Sequence, residues 1–340
     1  MRRIHRLACS MLVAFPVGVL AACSSGGGAA SGPPPEQSTI VVDAVPTADA
    51  AGLYIANDLG YFAQQGLTVK IHTVLGGELG LADMQSGAAQ LLEGNYVSFI
   101  LAQAAGTHHG KPINLRIIAN GSQMQQGNQA LYVMPSSKFK TVADLTKYHA
   151  KIGINTPNNI GQVLIGSLFK ENGLSMKAIE PTYKPLPLLP QLLSSGQIDA
   201  AWLPEPFGTE AQQQYGALQL ADFDTGSLQN FPIGCLIGTT QWVKTHPNTV
   251  AAFLRAFQQG QQVADTNRNA VEQALLRNKV AKTQVIAATM TIDSYPLTMD
   301  VPAMQRVPDA MYEFGLMAPT FKQPYQITEM IQPEPGEIIK

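Results

Sequence analysis

The chain has 340 residues, a formal charge of −2 and 14% charged residues. No basic stripe with interleaved aromatics occurs in it, which excludes a nucleic-acid binder held by phosphate contacts. Of its three cysteines, Cys9 and Cys23 fall in the first 23 residues, so Cys235 is left without a disulfide partner. Stability must therefore come from burial, for which ~300 residues are ample.

The first residues bear on the compartment. MRRIHR is basic with no acid, and the apolar LACSMLVAFPVGVLAA after it is short for a membrane span of ~20 residues. It ends at Leu20-Ala21-Ala22-Cys23, which is similar to a bacterial lipoprotein signal whose cysteine is lipidated and becomes the new N-terminus. Residues 1–22 then read as signal peptide. Residues 23–38 read as the lipidated Cys23 and a Gly/Ser/Pro tether too poor in apolar residues to fold. A diacylated cysteine anchors stably. Loss of residues 1–22 removes three arginines and no acid, leaving 19 basic against 24 acidic residues. The expected product is exported, anchored through its lipid alone to the outer face of the cell membrane, and monomeric.

From Thr39 onward, strands and helices alternate. TIVVDAV (39–45) is a continuous apolar strand of the kind buried on both faces of a parallel sheet. A helix follows through Ala51, Ile55, Leu59 and Phe62, with Thr47 or Asp49 as N-cap. LTVKIHTV (67–74) alternates as a strand. Gly76-Gly77 turns into a helix, AQLLE is a short strand, a helix covers about 95–105, and INLRIIA (113–119) is a strand. A second set begins at QALYVMP (129–135). In it, Thr141 and Asp144 stand at capping-box spacing, KIGIN (151–155) is a strand, and the next helix closes at Gly173. YKPL, LLPQLLSSG and GQIDAAWLPEPF complete that set, with Pro204 and Pro206 stiffening the chain around Trp202 and Glu205. A third set opens at PIGCLIGTT (232–240) and continues as amphipathic helices.

Alternating βα units argue for mainly parallel sheets flanked by helices. The separate middle set divides them into two lobes: 39–120 with 235–340 as lobe I, and 128–222 as lobe II. Residues 121–127 and 223–234 are the hinge crossovers, expected as two strands.

AGLYIANDLGYFAQQGLTVKI resembles the N-terminal signature of the NMT1/SsuA/THI5-like substrate-binding proteins of ABC importers. Gly76-Gly77, MQSGAAQLL, AQAAGTHHGKPINLRIIA, FKTVADLTKYHAKIGINTPNN and LLPQLLSSGQIDAAWLPEPF match further in the family's order, over roughly residues 40–260. Two departures stand out. GAAQLLEGNYVSFI replaces the family's short polar G-x-x-D-x-A, and His149-Ala150-Lys151 replaces its Gly-Lys. The resemblance implies a two-lobed periplasmic-binding-protein type 2 (Venus flytrap) fold that closes over a small nutrient. It also implies an ABC permease and its ATPase as partners, and no cofactor.

In open α/β sheets, ligands sit beyond the carboxyl ends of the strands. The loops expected there offer Thr47 and Asp49 after the first strand, then Gly76, Gly77 and Glu78 after the second. Asn95 and Tyr96 follow the AQLLE strand, and Asn120 and Ser122 lie at the crossover. Lobe II offers Thr156, Asn158 and Asn159, then Trp202 and Glu205. Trp202 can stack on a ring and Glu205 can accept from an amino group, or the two can serve as a strand-to-helix corner and its dipole partner. Arg116, Arg255, Arg268, Arg277 and Arg306 fall outside these loops, so an anion would depend on backbone amides and helix ends. With Asp49, Glu78 and Glu205 nearby, the expectation leans to a nitrogen-containing aromatic ligand such as a pyrimidine related to thiamin precursors. The alternative within the family is a sulfonate, taurine or nitrate.

No metal is expected: His108 and His109 are adjacent, and no Cys or third His stands at ligand spacing. An enzyme is not expected either. The G-x-S-x-G elbow, the H-E-x-x-H pair, the Walker loop and the cysteine-rich motif of the pyrimidine-forming synthases of this fold are all missing from the sequence. A tethered sensor would share the cleft and differ only in its partner.

Overall fold

The computed structural model describes residues 32–317 and 321–331, so the signal segment and Cys23 lie outside the described residues. The chain starts with β1 (Thr39–Ala44), a 3-10 turn at Ala48–Ala50, α1 (Ala51–Asp58) and α2 (Tyr61–Gln64). Then come β2 (Thr68–Thr73), α3 (Gly77–Ser86), β3 (Leu91–Asn95), α4 (Tyr96–Ala105), the small hairpin of β4 (Thr107–His108) and β5 (Lys111–Pro112), and β6 (Leu115–Gln123). The middle set is β7 (Gln129–Val133), α5 (Val142–Lys147), β8 (Lys151–Ile154), α6 (Ile160–Glu171), β9 (Glu180–Tyr183), α7 (Leu189–Ser194), β10 (Ala200–Pro204), α8 (Phe207–Tyr215) and β11 (Leu218–Asp222). The return is β12 (Pro232–Thr239), α9 (Thr240–Thr245), α10 (Pro247–Thr266), α11 (Arg268–Arg277), α12 (Gln284–Thr289) and α13 (Val301–Glu313).

Local chemistry sets many of these boundaries. Thr141 and Asp144 form the expected capping box at the start of α5. The Asn95 side chain accepts from Ser98 N at 3.0 Å and so starts α4, which Gly106 ends at a positive φ. The expected cap of the first helix is different. That helix starts at Ala51 behind Ala50, and Asp49 lies inside the 3-10 turn with its carboxylate bonded elsewhere.

Two five-stranded sheets form, in the orders β2-β1-β3-β12-β6 and β11-β7-β10-β8-β9. In the first, β12 runs against both of its neighbours, β3 and β6, while β1, β2 and β3 are parallel. In the second, β7 runs against β10 and β11, while β10, β8 and β9 are parallel. Each lobe is thus a mainly parallel sheet flanked by helices, with one reversed strand. Both reversed strands are the first to follow a passage of the chain from the other sheet, through residues 124–128 and 223–231.

One apolar cluster fills the space between α3, α4, α6 and α13 and continues through the middle sheet. A second lies between β1, α1, α10 and α11. There α1 and α10 approach closely. A Cβ on Gly260 would stand 2.1 Å from the Gly52 carbonyl oxygen, so only glycine allows this crossing. Among the described residues no helix is long and apolar enough to cross a membrane.

The end of the expected tether is docked, which corrects its boundary at Ser38. The Glu36 carboxylate accepts from the backbone N–H groups of Asn248 and Thr249 at 3.0 and 2.8 Å, at the start of α10. Gln37 Oε1 accepts from the Trp242 indole at 3.1 Å. Composition misses this because the partners are orphan amides of a helix 212 residues away. Burial opposes the Glu36 charge, but these amides hold its carboxyl down at about 2. The stabilisation is therefore present above the usual carboxyl value and is lost as pH falls toward 2. Glu36→Gln should lower the thermal midpoint by roughly 1–3 °C at pH 7. Scanning calorimetry at pH 7 and pH 3 should show the difference shrinking in acid.

Candidate binding site

The two sheets face each other across a narrow cavity of about 30 Å³, room for about one water and far below the ~300–1,000 Å³ usual for a small-molecule site, so a solute needs the lobes to part. Its lining follows from strand direction. Val45, Thr47 and Asp49 come from beyond the carboxyl end of β1, and Glu93, Gly94 and Asn95 from the end of β3. Asn155 and Ile160 follow β8, Leu186 follows β9, and Trp202 and Pro204 end β10. Gln129, Ile233 and Gly234 come from the opposite ends, the starts of the reversed strands β7 and β12. Both lobes therefore present the same edge of their sheets to one space.

Of the residues expected from sequence, Thr47, Asp49, Asn95 and Trp202 line this cavity. Ser122 stands behind it: its hydroxyl donates to Asp49 Oδ1 at 2.8 Å and accepts from Gly234 N at 3.1 Å. Gly76 meets Thr156 across the lobes, since a Cβ on Gly76 would be 2.8 Å from Thr156 Cγ2. Gly77 packs on Ser98 and Phe99 of α4. Glu78 is half-buried, with its carbonyl in contact with His108 Nε2 at 3.0 Å. Asn158 is exposed at a positive φ and its N–H donates to Gln162. Asn159 is buried, and its amide donates to Asn155, which does reach the cavity.

Three expectations are corrected. Tyr96 turns into the core, where its hydroxyl donates to Asn120 Oδ1 at 2.9 Å. That bond also uses Asn120, whose amide points to the Thr298 carbonyl on the far side of the sheet. Glu205 does not line the cavity. Its two oxygens accept from Thr209 N at 3.1 Å and Thr209 Oγ1 at 2.8 Å in the first turn of α8. Burial pushes the Glu205 carboxyl up to about 7 against those hydrogen bonds. Of the two roles open to Glu205, partner of a helix start is the one its contacts fit.

Trp202 is 3% exposed. Its indole N–H donates to Gln129 Oε1 at 3.1 Å, and its ring lies on α6, where a Cβ on Gly161 would come within 2.5 Å of it. It is a core residue with one edge on the cavity.

The residue that sequence reading passed over is Glu93. It sits in β3 between β1 and β12, paired with Ala44 and Leu236. Leu91 and Glu93 point to one face of the sheet and Leu92 to the other. Glu93 is 1% exposed, and among the described residues neither of its carboxylate oxygens has a hydrogen-bond partner. Burial first, and then Asp49, push its carboxyl well above the usual range. Asp49 is raised as well, by burial, against hydrogen bonds from Thr47 and Ser122. The two converge on Gly234, where a Cβ would stand 2.9 Å from Ser122 Oγ, 3.1 Å from Glu93 Oε1 and 3.6 Å from Asp49 Cβ. The signal in the sequence was a lone acid ending the apolar run AQLLE.

The lining holds two carboxylates, three side-chain amides, an indole and aliphatic groups, and none of its residues is Arg, Lys or His. The NMT1-like family model matches residues 33–277. The chain belongs to the NMT1-like family. By sequence, no curated protein matches it. By fold, this NMT1-like protein is similar to the alkanesulfonate-binding protein SsuA from Xanthomonas axonopodis pv. citri bound to MOPS. That likeness has a TM-score of 0.72 and 18% identity over 87% of this chain and 99% of that one. It is also similar to the periplasmic nitrate-binding protein NrtA from Synechocystis PCC 6803, with a TM-score of 0.74 and 16% identity over 88% and 87%. The desulfurization enzyme DSZB shares the fold too, with a TM-score of 0.63 and 14% identity over 88% and 97%.

Truncating Trp202 tests its packing and its cavity edge separately. Trp202→Ala should cost about 3–5 kcal/mol of stability, as a core truncation does. Trp202→Phe should cost much less while removing the indole edge and the bond to Gln129. Urea unfolding of both variants reads the difference.

Proposed function

We propose that this chain is the extracytoplasmic solute-binding protein of an ABC importer. In this reading it is tethered through lipidated Cys23 and hands a small nutrient to a membrane permease and its ATPase. The observation that carries this is the cavity built from both lobes at the carboxyl ends of their parallel strands. A solute touching Asp49 and Asn95 on one side and Asn155 and Trp202 on the other stabilises the closed form by its differential contacts. The lining holds no Ser, Cys, His or Lys, and its hydroxyl, Thr47, serves to hold Asp49, so the site suits binding.

The lining favours a nitrogen-containing, partly aromatic solute of pyrimidine type. Asn95, Gln129 and Asn155 offer amide hydrogen bonds, Trp202 offers an aromatic edge, and Asp49 and Glu93 accept from N–H donors. The second reading, a sulfonate or nitrate, draws on what the similar structures are said to bind. An anion here would meet two carboxylates and no guanidinium.

Thermal unfolding of the chain from Ser24 onward, with aminopyrimidines, thiamin relatives, taurine, alkanesulfonates and nitrate, tests both. A true ligand at 100 times its Kd adds about 2.7 kcal/mol and should raise the midpoint by several degrees. The expected hits are pyrimidines. Sulfonate or nitrate hits alone would transfer the protein to the second reading, and a panel with no hit at all would sink the receptor reading.

A further inference from the structure

Glu93 poses a question that its position in the sheet does not answer. A buried carboxylate normally holds two or more hydrogen bonds, because an unpaired one is costly. Asp49 has Ser122 and Glu205 has Thr209, yet among the described residues Glu93 has no partner, and it faces the cavity. A glutamine or leucine would satisfy the strand at lower cost.

We propose that the Glu93 and Asp49 carboxylates form a seat for a cationic nitrogen, so that the cleft takes an ammonium or amidinium compound and rejects anions of the same shape. The inference rests on the solute-receptor reading above and names the charge of the solute. An amidinium presents N–H donors that can meet both acids, and a charge-assisted hydrogen bond is roughly twice as strong as a neutral one. Ser122 and Thr47 hold the Asp49 carboxylate in place, while both oxygens of Glu93 are without a partner among the described residues. Gly234 keeps the space between the acids open.

The seat is also a proton site. The titratable groups around Glu93 are Asp49 from the 3-10 turn, Tyr54 from α1, Asp293 and Tyr295 from the segment before α13, and, on the other face of the sheet, Cys235 of β12. All of these are neutral or negative when they titrate, so none offsets the burial that raises the Glu93 carboxyl, and the ligand-free seat favours the protonated form. When the cation enters, that proton leaves to solvent and the charge of the nitrogen takes its place. Affinity for a permanently charged amidinium must then rise with pH, since both acids of the seat are raised and binding releases the protons they hold.

The test is isothermal titration calorimetry on the full-length chain with three probes of one shape: benzamidinium, benzamide and benzenesulfonate. Benzamidinium should bind at least about tenfold tighter than benzamide, and benzenesulfonate should not bind. Its affinity should climb from pH 6 to pH 9, with proton release shown by differing heats in two buffers. In Glu93→Gln the preference and the pH dependence should both disappear. The ligand-free variant should melt at the same or a higher temperature than the parent, because an unpartnered buried charge site has been removed. A lower melting temperature would assign Glu93 to structure and overturn the proposal. So would absence of benzamidinium binding, or binding that survives in Glu93→Gln. Binding of benzenesulfonate alone would overturn it too, while leaving the receptor reading standing.

Discussion

Each sheet accepts as its fourth strand a segment arriving from the other lobe, and such a strand enters at the cleft and runs against its neighbours. This constraint puts the starts of β7 and β12 beside the ends of β1, β3, β8 and β10. Gln129 and Gly234, first residues of their strands or nearly so, thereby join a wall otherwise made of strand ends. The passages between lobes therefore bring their own residues to the site. The straps of the C-terminal region hold this joint from behind. Arg306 of α13 donates to the carbonyls of Ser227 and Gln229 at 2.8 Å each, within the second passage.

A second consequence is electrostatic. Glu93, Glu205 and Asp293 lie buried around the joint with Asp49 half-buried beside them, and all four carboxyls are pushed up, desolvation being the first cause in each. No lysine, arginine or histidine lowers any of the four. The folded state binds more protons than the unfolded chain above the ordinary carboxyl range, so their joint contribution to stability falls as pH rises. A fold selected for stability alone would have replaced at least Glu93. Its retention in a sheet interior is the kind of local conflict expected where a site imposes its own needs.

Much of the architecture was legible because it is local. The Thr141–Asp144 box, the apolar runs of β1 and β12, and the amphipathic faces of α10 and α13 are all written within a dozen residues. Four of the fourteen lining residues were legible for a related reason: Thr47, Asp49, Asn95 and Trp202 stand where apolar runs stop. Side-chain direction was not. Tyr96 follows Asn95 by one residue, but one step of a helix turns a side chain by about 100°, from the cavity into the core. Gln129 and Gly234 were missed because a sequence does not show which strands run backwards. Glu36 was missed because its partners are supplied by a helix distant in the chain.

Glu205 shows how a residue can serve the site without touching its contents. Its side chain is spent on Thr209, and this anchors the Pro204–Phe207 corner to the first turn of α8. With the corner held, the Glu205 carbonyl accepts from Ala48 N at 3.0 Å, a backbone bond from one lobe to the turn that carries Asp49 on the other. In the same helix Glu210, buried, takes Lys282 Nζ at 2.5 Å from the loop before α12. These two contacts lie on either side of α8 and need no solute. The two lobes are therefore held together in part by contacts of the protein itself. The stiffness of the WLPEPF stretch belongs to this joint: it sets the distance between lobes at which Asp49 and Trp202 line one cavity.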